Sequence, residues 1–218
     1  MWFIGDVHGH FDTYEYITTR MQVPTGGTMG CSFQLGDTGI FTREDLDACP
    51  SNEGHCLLRG NHDNPALHHK HALSLPDYGY APDSGLFWTA GAWSIDQAYR
   101  TIGVNWWPLE ELTYEDMTLA IAAYREARPT VMCSHDGPEE AIRDLMESRG
   151  EYRHHRTRTA FGLQCMLDSH RPDVWVFAHH HHRFEKVIHG TRFIALDHIH
   201  GISPKSGLFE IPEIGPFI

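Results

Sequence analysis

The sequence predicts an α/β fold in which short, mainly parallel strands are covered by helices. Five apolar runs each end abruptly in a turn that carries Asp, His or Asn, and runs of about 4–8 residues ended in this way indicate buried strands. These runs occupy residues 2–4, 31–35, 56–59, 130–133 and 174–178. Helix-like stretches alternate with them, which favours a parallel sheet with helices on both faces. The stretches occupy residues 11–21, 113–127, 138–149 and 159–170.

Two further segments complete the predicted fold. Residues 184–188, 192–196 and 207–211 are short alternating runs, which predict a C-terminal antiparallel meander. Residues 78–107 hold four tryptophans among several Gly and Pro residues, a composition that predicts strands and a long loop. Because no repeat or low-complexity stretch divides the chain, we expect residues 1–218 to form one domain.

Charge and cysteine content narrow the classes of function. The formal net charge is −12, so the surface repels nucleic acid and anionic membranes unless a local basic groove exists. No apolar run approaches the roughly 20 residues of a membrane-spanning helix, and the first residues lack the apolar core of a secretory signal. The 5 cysteines are scattered and lie mostly in apolar runs, which predicts reduced thiols and a cytoplasmic protein.

Polar residues follow each of the five predicted strands. In parallel sheets, ligands bind beyond the carboxyl ends of the strands, so these residues are expected to converge on one pocket. The candidate metal ligands are Asp6, His8, Asp37, Asn61, His135, His179 and His181. Oxygen and imidazole donors without thiolate suit Mn, Fe or Zn better than Ca or a structural zinc. Seven donors exceed the need of one ion, and two ions that share a bridging carboxylate fit the number.

Simpler structural interpretations exist for each cluster. Asp6 with His8 is also compatible with a helix cap, and Gly60-Asn61-His62-Asp63 with a tight turn. In an extended backbone His180 and His182 alternate away from the ligand positions, so we expect them to face solvent. We also expect exposed surface positions for residues that show no ligand spacing, namely His68, His69, His71, His154, His155 and His170. Whether His198 and His200 approach the pocket is left open.

The clusters resemble, in order, the five motifs of the calcineurin-like metallophosphoesterases. They are Asp6-Val7-His8, Gly36-Asp37, Gly60-Asn61-His62-Asp63, Ser134-His135 and His179-His180-His181. The resemblance spans residues 6–181. It implies a β-sandwich core of mixed, mainly parallel sheets flanked by helices.

The same resemblance implies a dinuclear site. One ion, most simply Mn with Fe or Zn as alternatives, would be held by Asp6, His8, Asp37 and His181. The second would be held by Asp37, Asn61, His135 and His179. A hydroxide between the ions would attack phosphorus, and His62 and Asp63 would be catalytic residues, with His62 protonating the leaving alkoxide.

Departures from the motifs affect the expected substrate. Where the protein-phosphatase branch carries an Asp and an Arg after Gly36-Asp37, this chain has Ile40 and Phe41. An expected partner of His62 and a phosphate-binding guanidinium are therefore missing, although Arg59 resembles that branch. Ala178 also replaces a usual Gly. The expected activity is hydrolysis of a small or nucleotide-like phosphate ester, with a phosphodiesterase or nuclease, a protein phosphatase and a catalytically silent binding scaffold as alternatives.

The segment 91–108 resembles one found in uncharacterised bacterial and phage metallophosphoesterases. Its Arg100 is a candidate fork for phosphate, and Trp106 and Trp107 are candidates for stacking on a base or aromatic leaving group. Arg59 is a further candidate for substrate binding. The cluster of Arg153, Arg156 and Arg158 fits either a surface loop or a substrate approach. The sequence contains no signal for the oligomeric state.

Overall fold

The computed structural model describes residues 1–24, 26–151, 156–200 and 204–212. Its strands form two sheets. The first sheet has the strand order β10-β1-β2-β3 and consists of β1 (Trp2–Ile4), β2 (Ser32–Gln34), β3 (His55–Leu57) and β10 (Leu208–Glu210). Strands β1, β2 and β3 are parallel, and β10 pairs antiparallel with β1.

The second sheet has six strands in the order β4-β5-β6-β7-β9-β8. They are β4 (Tyr78–Ala81), β5 (Leu86–Thr89), β6 (Val131–Ser134), β7 (Val174–Phe177), β8 (Phe184–Ile188) and β9 (Thr191–Ala195). The four inner strands are parallel, and the edge strands β4 and β8 are antiparallel to their neighbours. The predicted fold of mixed, mainly parallel sheets is confirmed.

The helices lie between the strands as the sequence predicts. They are α1 (Phe11–Thr19), α2 (Arg43–Ala48), α3 (Pro65–His68), α4 (Tyr114–Ala127), α5 (Glu139–Ser148) and α6 (Arg158–Ser169). Thr113 and Thr157 cap α4 and α6, since their side chains accept hydrogen bonds from the backbone N–H of Asp116 and Ala160. The short helices α2 and α3 were not predicted. Among the described residues, no helix has the length and apolar character needed to cross a membrane.

Alternation along the strands of the first sheet creates two apolar cores. Phe3 and Phe33 point toward the second sheet, where the Phe33 ring lies 6.2 Å from that of Trp88. Ile4 and Leu57 point the other way, toward α1. Successive side chains of a strand alternate between the two faces of the sheet. Strands of only three residues can therefore contribute side chains to both apolar cores. The ends of the strands are thereby fixed relative to one another.

Part of the prediction for the C-terminal region is wrong. Strands β8 and β9 form an antiparallel pair as expected, but β10 leaves them and pairs with β1 in the other sheet. Alternation of apolar and polar residues predicts that a segment is a strand but does not predict which strand it pairs with. Here β10 pairs with the edge of β1. Two of the histidines expected at the surface, His68 and His71, are buried instead, 0% and 7% exposed. His154 and His155 lie outside the described residues.

Candidate metal centre and active site

All seven predicted ligands follow the carboxyl ends of strands, and they converge on one place between the two sheets. Two groups of donor atoms lie close enough together to hold an ion. The first group is Asp6, His8, Asp37 and His181, and the second contains Asp37, His135 and His179. Within each group the donor atoms lie within 4.8 Å of one another. Asp37 belongs to both groups, so its carboxylate lies between them.

Backbone conformation separates several of these ligands from ordinary turn residues. His8, Asp37, His179 and His181 have positive φ angles of 49°, 54°, 67° and 47°. Left-handed backbone is uncommon for residues other than Gly and is concentrated at functional sites, since the surrounding fold must compensate for its cost. Across the described ranges only two other non-glycine residues share it, Arg128 and His189. The turns that carry these four predicted ligands therefore adopt a backbone conformation that is unfavourable for residues other than Gly.

The first donor group brings several lone pairs to one point. His181 Nε2 lies 2.9 Å from Asp6 Oδ2 and also 2.9 Å from His8 Nε2. His8 Nε2 lies 4.0 Å from Asp37 Oδ2. Asp6 and Asp37 are buried, and neighbouring imidazoles outweigh the effect of burial, so that the pKa of each carboxyl is lowered. Both carboxylates are therefore charged and available to a cation.

In the second donor group, neighbouring atoms orient His135 and Asn61. The Nδ1–H of His135 donates to the carbonyl oxygen of Leu35 at 2.7 Å, which turns Nε2 toward Asn61 Oδ1 at 3.0 Å and Asp37 Oδ1 at 3.3 Å. Burial opposes protonation of His135, but the Asp37 carboxylate outweighs it and raises the pKa to about 9. Without metal, a proton on His135 thus compensates the buried carboxylate.

His179 has no such proton. Burial lowers its pKa to about 3, so the ring is neutral at physiological pH. Its Nδ1 is buried and meets no hydrogen-bond partner in the part of the chain that the structure describes. A neutral imidazole with an orphaned nitrogen among acidic oxygens is the form in which histidine binds a metal ion. The donor set therefore fits two ions of the Mn, Fe or Zn type.

His62 lies at the rim of this site. Its backbone N–H donates to Asp37 Oδ1 at 2.8 Å, and its Nε2 lies 3.9 Å from Asp37 Oδ2. Arg100 reaches it from a distant segment, with Nη2 2.6 Å from Nε2 and Nη1 3.1 Å from Nδ1. A guanidinium therefore lies beside His62, although Ile40 and Phe41 occupy the motif positions where one is usual.

Asp63 is completely buried, and its side chain contacts backbone and not the imidazole of His62. Its two oxygens accept hydrogen bonds from four backbone N–H groups, those of Thr38, Gly39, Ile40 and Gly60. These amides belong to the loops that carry Asp37 and Asn61. The carboxylate thus ties together the turns after β2 and β3.

The other predicted substrate contacts are placed differently from expectation. The Arg59 guanidinium is 1% exposed and binds both oxygens of Asp77 at 2.9 and 3.0 Å, so it belongs to the scaffold. Trp107 is buried against Phe41, with ring centroids 5.7 Å apart. Neither residue, nor Trp106, lines the cavity beside the metal ligands. These side chains pack the loop that Arg100 comes from.

A cavity of about 450 Å³ opens beside the two donor groups. Asp37, Asn61, His62 and Arg100 line it, together with the apolar side chains of Trp93, Ile95, Ile142 and Met146. Trp93 was not among the predicted substrate contacts. Arg149 also lines the cavity and was missed, because it follows a helix and not a strand.

One expectation about the remaining histidines is wrong, and one open question is answered. His180 does not face solvent, since its Nε2 donates to the buried Asp136 at 2.9 Å and its side chain lines the cavity. His198 does approach the site, with its ring 5.3 Å from that of His181, and His200 lies 6.5 Å from His8. Arg156 and Arg158 pair with Glu139 and Glu111, whereas Arg153 lies outside the described residues.

The two-sheet fold and the paired donor groups define a metallophosphoesterase type of protein. The family model described as calcineurin-like phosphoesterase matches residues 1–183, and the chain belongs to this family. No match to a curated protein was found at the sequence level.

Solved structures share the fold at low sequence identity. TT1561 of Thermus thermophilus is similar with a TM-score of 0.50 and 11% identity, covering 91% of this chain and 89% of that protein. The phosphopantetheinyl hydrolase of Mycobacterium tuberculosis has a TM-score of 0.46 and 15% identity, covering 94% and 90%. The first similarity supports the fold alone, and the second adds nothing to that assignment.

Proposed function

We propose that this protein hydrolyses phosphate esters with two metal ions bound by the seven ligands. The observation that supports this best is the position of Asp37, whose carboxylate belongs to both donor groups. Asp6, His8 and His181 would complete the first site. Asn61, His135 and His179 would complete the second. This mixture of oxygen and imidazole donors suits Mn, Fe or Zn, and Mn is the ion proposed for the tests.

Each side chain has a distinct task in this proposal. When bound, the ions would neutralise phosphoryl charge and lower the pKa of bound water. His62 would donate a proton to the leaving oxygen, and its backbone bond to Asp37 keeps it at the edge of the site. Asp63 would act as a positioning residue, since its oxygens are engaged by the backbone. Arg100 lies beside His62 and faces the cavity.

The cavity supports a small substrate. Its volume of about 450 Å³ lies in the range of sites for compact organic ligands. The apolar lining residues Trp93, Ile95, Ile142 and Met146 suit an apolar or aromatic leaving group, such as a nucleoside. The net charge of −12 opposes binding of a polynucleotide.

The proposal extends to location and domain organisation. The 5 free cysteines fit a cytoplasmic location, and residues 1–218 would form one domain.

The direct experiment is Mn-dependent hydrolysis of p-nitrophenyl phosphate and of bis-p-nitrophenyl phosphate. The wild-type protein should cleave at least one ester, and preference for the bis-ester would identify a diesterase. His62→Ala should lower kcat by about 10²–10⁴-fold while Mn remains bound, as expected for loss of a general acid. If protein loaded with two ions cleaves neither ester, the protein is a binding scaffold and the proposal fails.

A further inference from the structure

The segment 91–110, here called the brace segment, covers Asn61 and His62 and contacts both of them. It is anchored at each end on the buried Arg59. The backbone N–H of Gly91 donates to the Arg59 carbonyl oxygen at 2.9 Å, and Arg59 Nη1 donates to the Glu110 carbonyl oxygen at 3.1 Å. A Cβ on Gly91, whose φ is +81°, would meet the Glu110 carbonyl. The two ends of the brace segment are therefore close together, directly behind the motif Gly60-Asn61-His62.

One chain of hydrogen bonds in the brace segment ends at Asn61. Asn61 Nδ2 donates to Ser94 Oγ at 2.9 Å, and Ser94 Oγ donates to Glu110 Oε2 at 2.5 Å. The Ser94 N–H also donates to Glu110 Oε1 at 3.1 Å. Glu110 is 3% exposed and Ser94 is 1% exposed. Because Ser94 uses its proton on Glu110, it accepts from the Asn61 amide nitrogen, and Asn61 Oδ1 must face His135 and the second donor group.

A second chain ends at His62. Arg100 Nε donates to Asp96 Oδ1 at 2.6 Å, and Nη1 donates to the Asn105 carbonyl oxygen at 3.2 Å. The guanidinium plane is thereby fixed, and it lies against both ring nitrogens of His62, of which only the unprotonated one can accept a hydrogen bond from it. The Arg100 side chain is 9% exposed, whereas the His62 side chain is 25% exposed. The less exposed Arg100 side chain, itself bonded to Asp96 and Asn105, thus contacts both ring nitrogens of the more exposed His62.

We propose that Glu110 with Ser94, and Asp96 with Arg100, are two pairs of positioning residues. The first pair orients the Asn61 carboxamide as a metal ligand. The second positions the His62 ring at the edge of the site, with the guanidinium donating to the unprotonated ring nitrogen so that the other ring nitrogen carries the proton. Both chains begin at a carboxylate and end at neighbouring residues of one motif. The inference concerning His62 rests on the proposed hydrolytic function, whereas that concerning Asn61 requires only metal binding. Outer partners of metal ligands commonly control affinity by about 10–100-fold.

The first test measures Mn binding by calorimetry, without substrate. Ser94→Ala and Glu110→Gln should weaken the binding of one of two ions by about 10–100-fold and leave the other unchanged. Ser84→Ala is the matched control, since Ser84 donates only to the Ala81 carbonyl oxygen in a turn. Unchanged affinity for both ions in both variants, with wild-type thermal stability, would overturn the inference for Asn61. Failure of the wild type to bind two ions would instead overturn the proposed function.

The second test uses a double-mutant cycle between Arg100 and His62. Arg100→Lys keeps the charge but loses the fork, and it should lower kcat by about tenfold or more, with KM unchanged. The loss should be larger for an alkyl phosphate than for p-nitrophenyl phosphate, because an alkoxide needs the proton more. In the His62→Ala background the same change should cost nothing. Arg171→Lys, which breaks a similar fork on Glu140, is the control.

A persistent loss in the His62→Ala background would show that Arg100 acts on the substrate directly and would overturn the assignment. Asp96→Asn should reproduce the pattern of Arg100→Lys more weakly. NMR of the metal-free protein provides a readout that needs no activity. The ring resonances of His62, assigned with His62→Ala, should shift in Asp96→Asn and not in Arg171→Lys, and unchanged resonances would contradict a positioning role.

Discussion

At the scale of single residues, Asp63 and His135 are buried groups whose roles can be measured without a substrate. Asp63 lies behind the motif loops and accepts four backbone N–H groups, whereas His135 shares the buried space of Asp37. Neither is placed to meet a substrate directly. Their effects should appear in folding and in metal affinity before they appear in catalysis.

Replacement of Asp63 by Asn should destabilise the metal-free protein. The amide nitrogen that the substitution introduces would face two backbone donors, and buried donors left unsatisfied cost about 1–3 kcal/mol each. We therefore expect a loss of about 2–4 kcal/mol in the free energy of unfolding, measured by urea denaturation. Asp45→Asn, which weakens the exposed capping box of α2, should cost only about 1 kcal/mol. Equal effects of the two changes would contradict the proposed anchoring by Asp63.

Metal binding should release the proton that His135 carries in the metal-free protein, so Mn affinity should rise with pH. Its pKa of about 9 in the metal-free protein lies above the usual value, so the ring is protonated at pH 7 and must lose its proton to bind an ion. Mn affinity should thus rise by about tenfold per pH unit between about pH 7 and 9. Calorimetry at about pH 8 in two buffers of different ionisation enthalpy should detect at least one released proton. No release at that pH would contradict the assignment.

The convergence of the predicted ligands could be anticipated from the sequence because each follows a strand. Asp6, Asp37 and His135 needed no knowledge of tertiary structure beyond the rule that such strand ends meet. The contacts of Arg59 and Arg100 could not be predicted in this way. Both are arginines near the motifs. Arg59 forms an ion pair with Asp77, whereas Arg100 contacts His62, which lies 38 residues away in the sequence. Only the path of the loop distinguishes them.

At the scale of elements, the turns after β2 and β3 determine how close the ligands can come. Gly60 is the clearest case. A Cβ at this position would collide with the backbone and carboxylate of Asp37, whereas a Cβ at Gly30 would meet no atom within 4 Å. The third motif can therefore approach the second only through a residue without a side chain.

Gly60→Ala should abolish tight Mn binding and lower the melting temperature. The collision involves backbone, so the loop that carries Asp37 must move, and both donor groups share that residue. Gly30→Ala should leave both quantities within error, with a change of at most about 0.5 kcal/mol in stability. Thermal melts with and without Mn separate the two effects. Full Mn binding by the Gly60→Ala variant would contradict the packing described.

The elements that were mispredicted share a physical reason. Helix α2 has a capping box formed by Thr42 and Asp45, but six residues present too little apolar periodicity to be recognised. Strand β10 has the alternation of a strand, yet its partner is β1 at the other end of the chain. Local patterns specify the type of an element, and pairing over that distance depends on which sheet edge remains uncovered.

At the scale of the whole molecule, an acidic protein surrounds two groups of side chains that could hold cations. The net charge of −12 and the buried Asp6 and Asp37 favour metal ions, while His62, Arg100 and Arg149 concentrate donors at the cavity. The two sheets place β1, β2 and β3 against β6 and β7, and the shared carboxylate of Asp37 lies where they meet. The proposed dinuclear site thus depends on the packing of both layers.

The proposal of two metal ions that share the Asp37 carboxylate is tested most directly by the stoichiometry of Mn binding in wild-type protein and in Asp37→Asn. Calorimetry of metal-free protein should give two ions per chain for the wild type. Because Asp37 belongs to both donor groups, Asp37→Asn should lose tight binding of both ions at once, whereas His181→Ala should lose only one. A single ion in the wild type, or two tightly bound ions in Asp37→Asn, would contradict a dinuclear centre bridged by this residue.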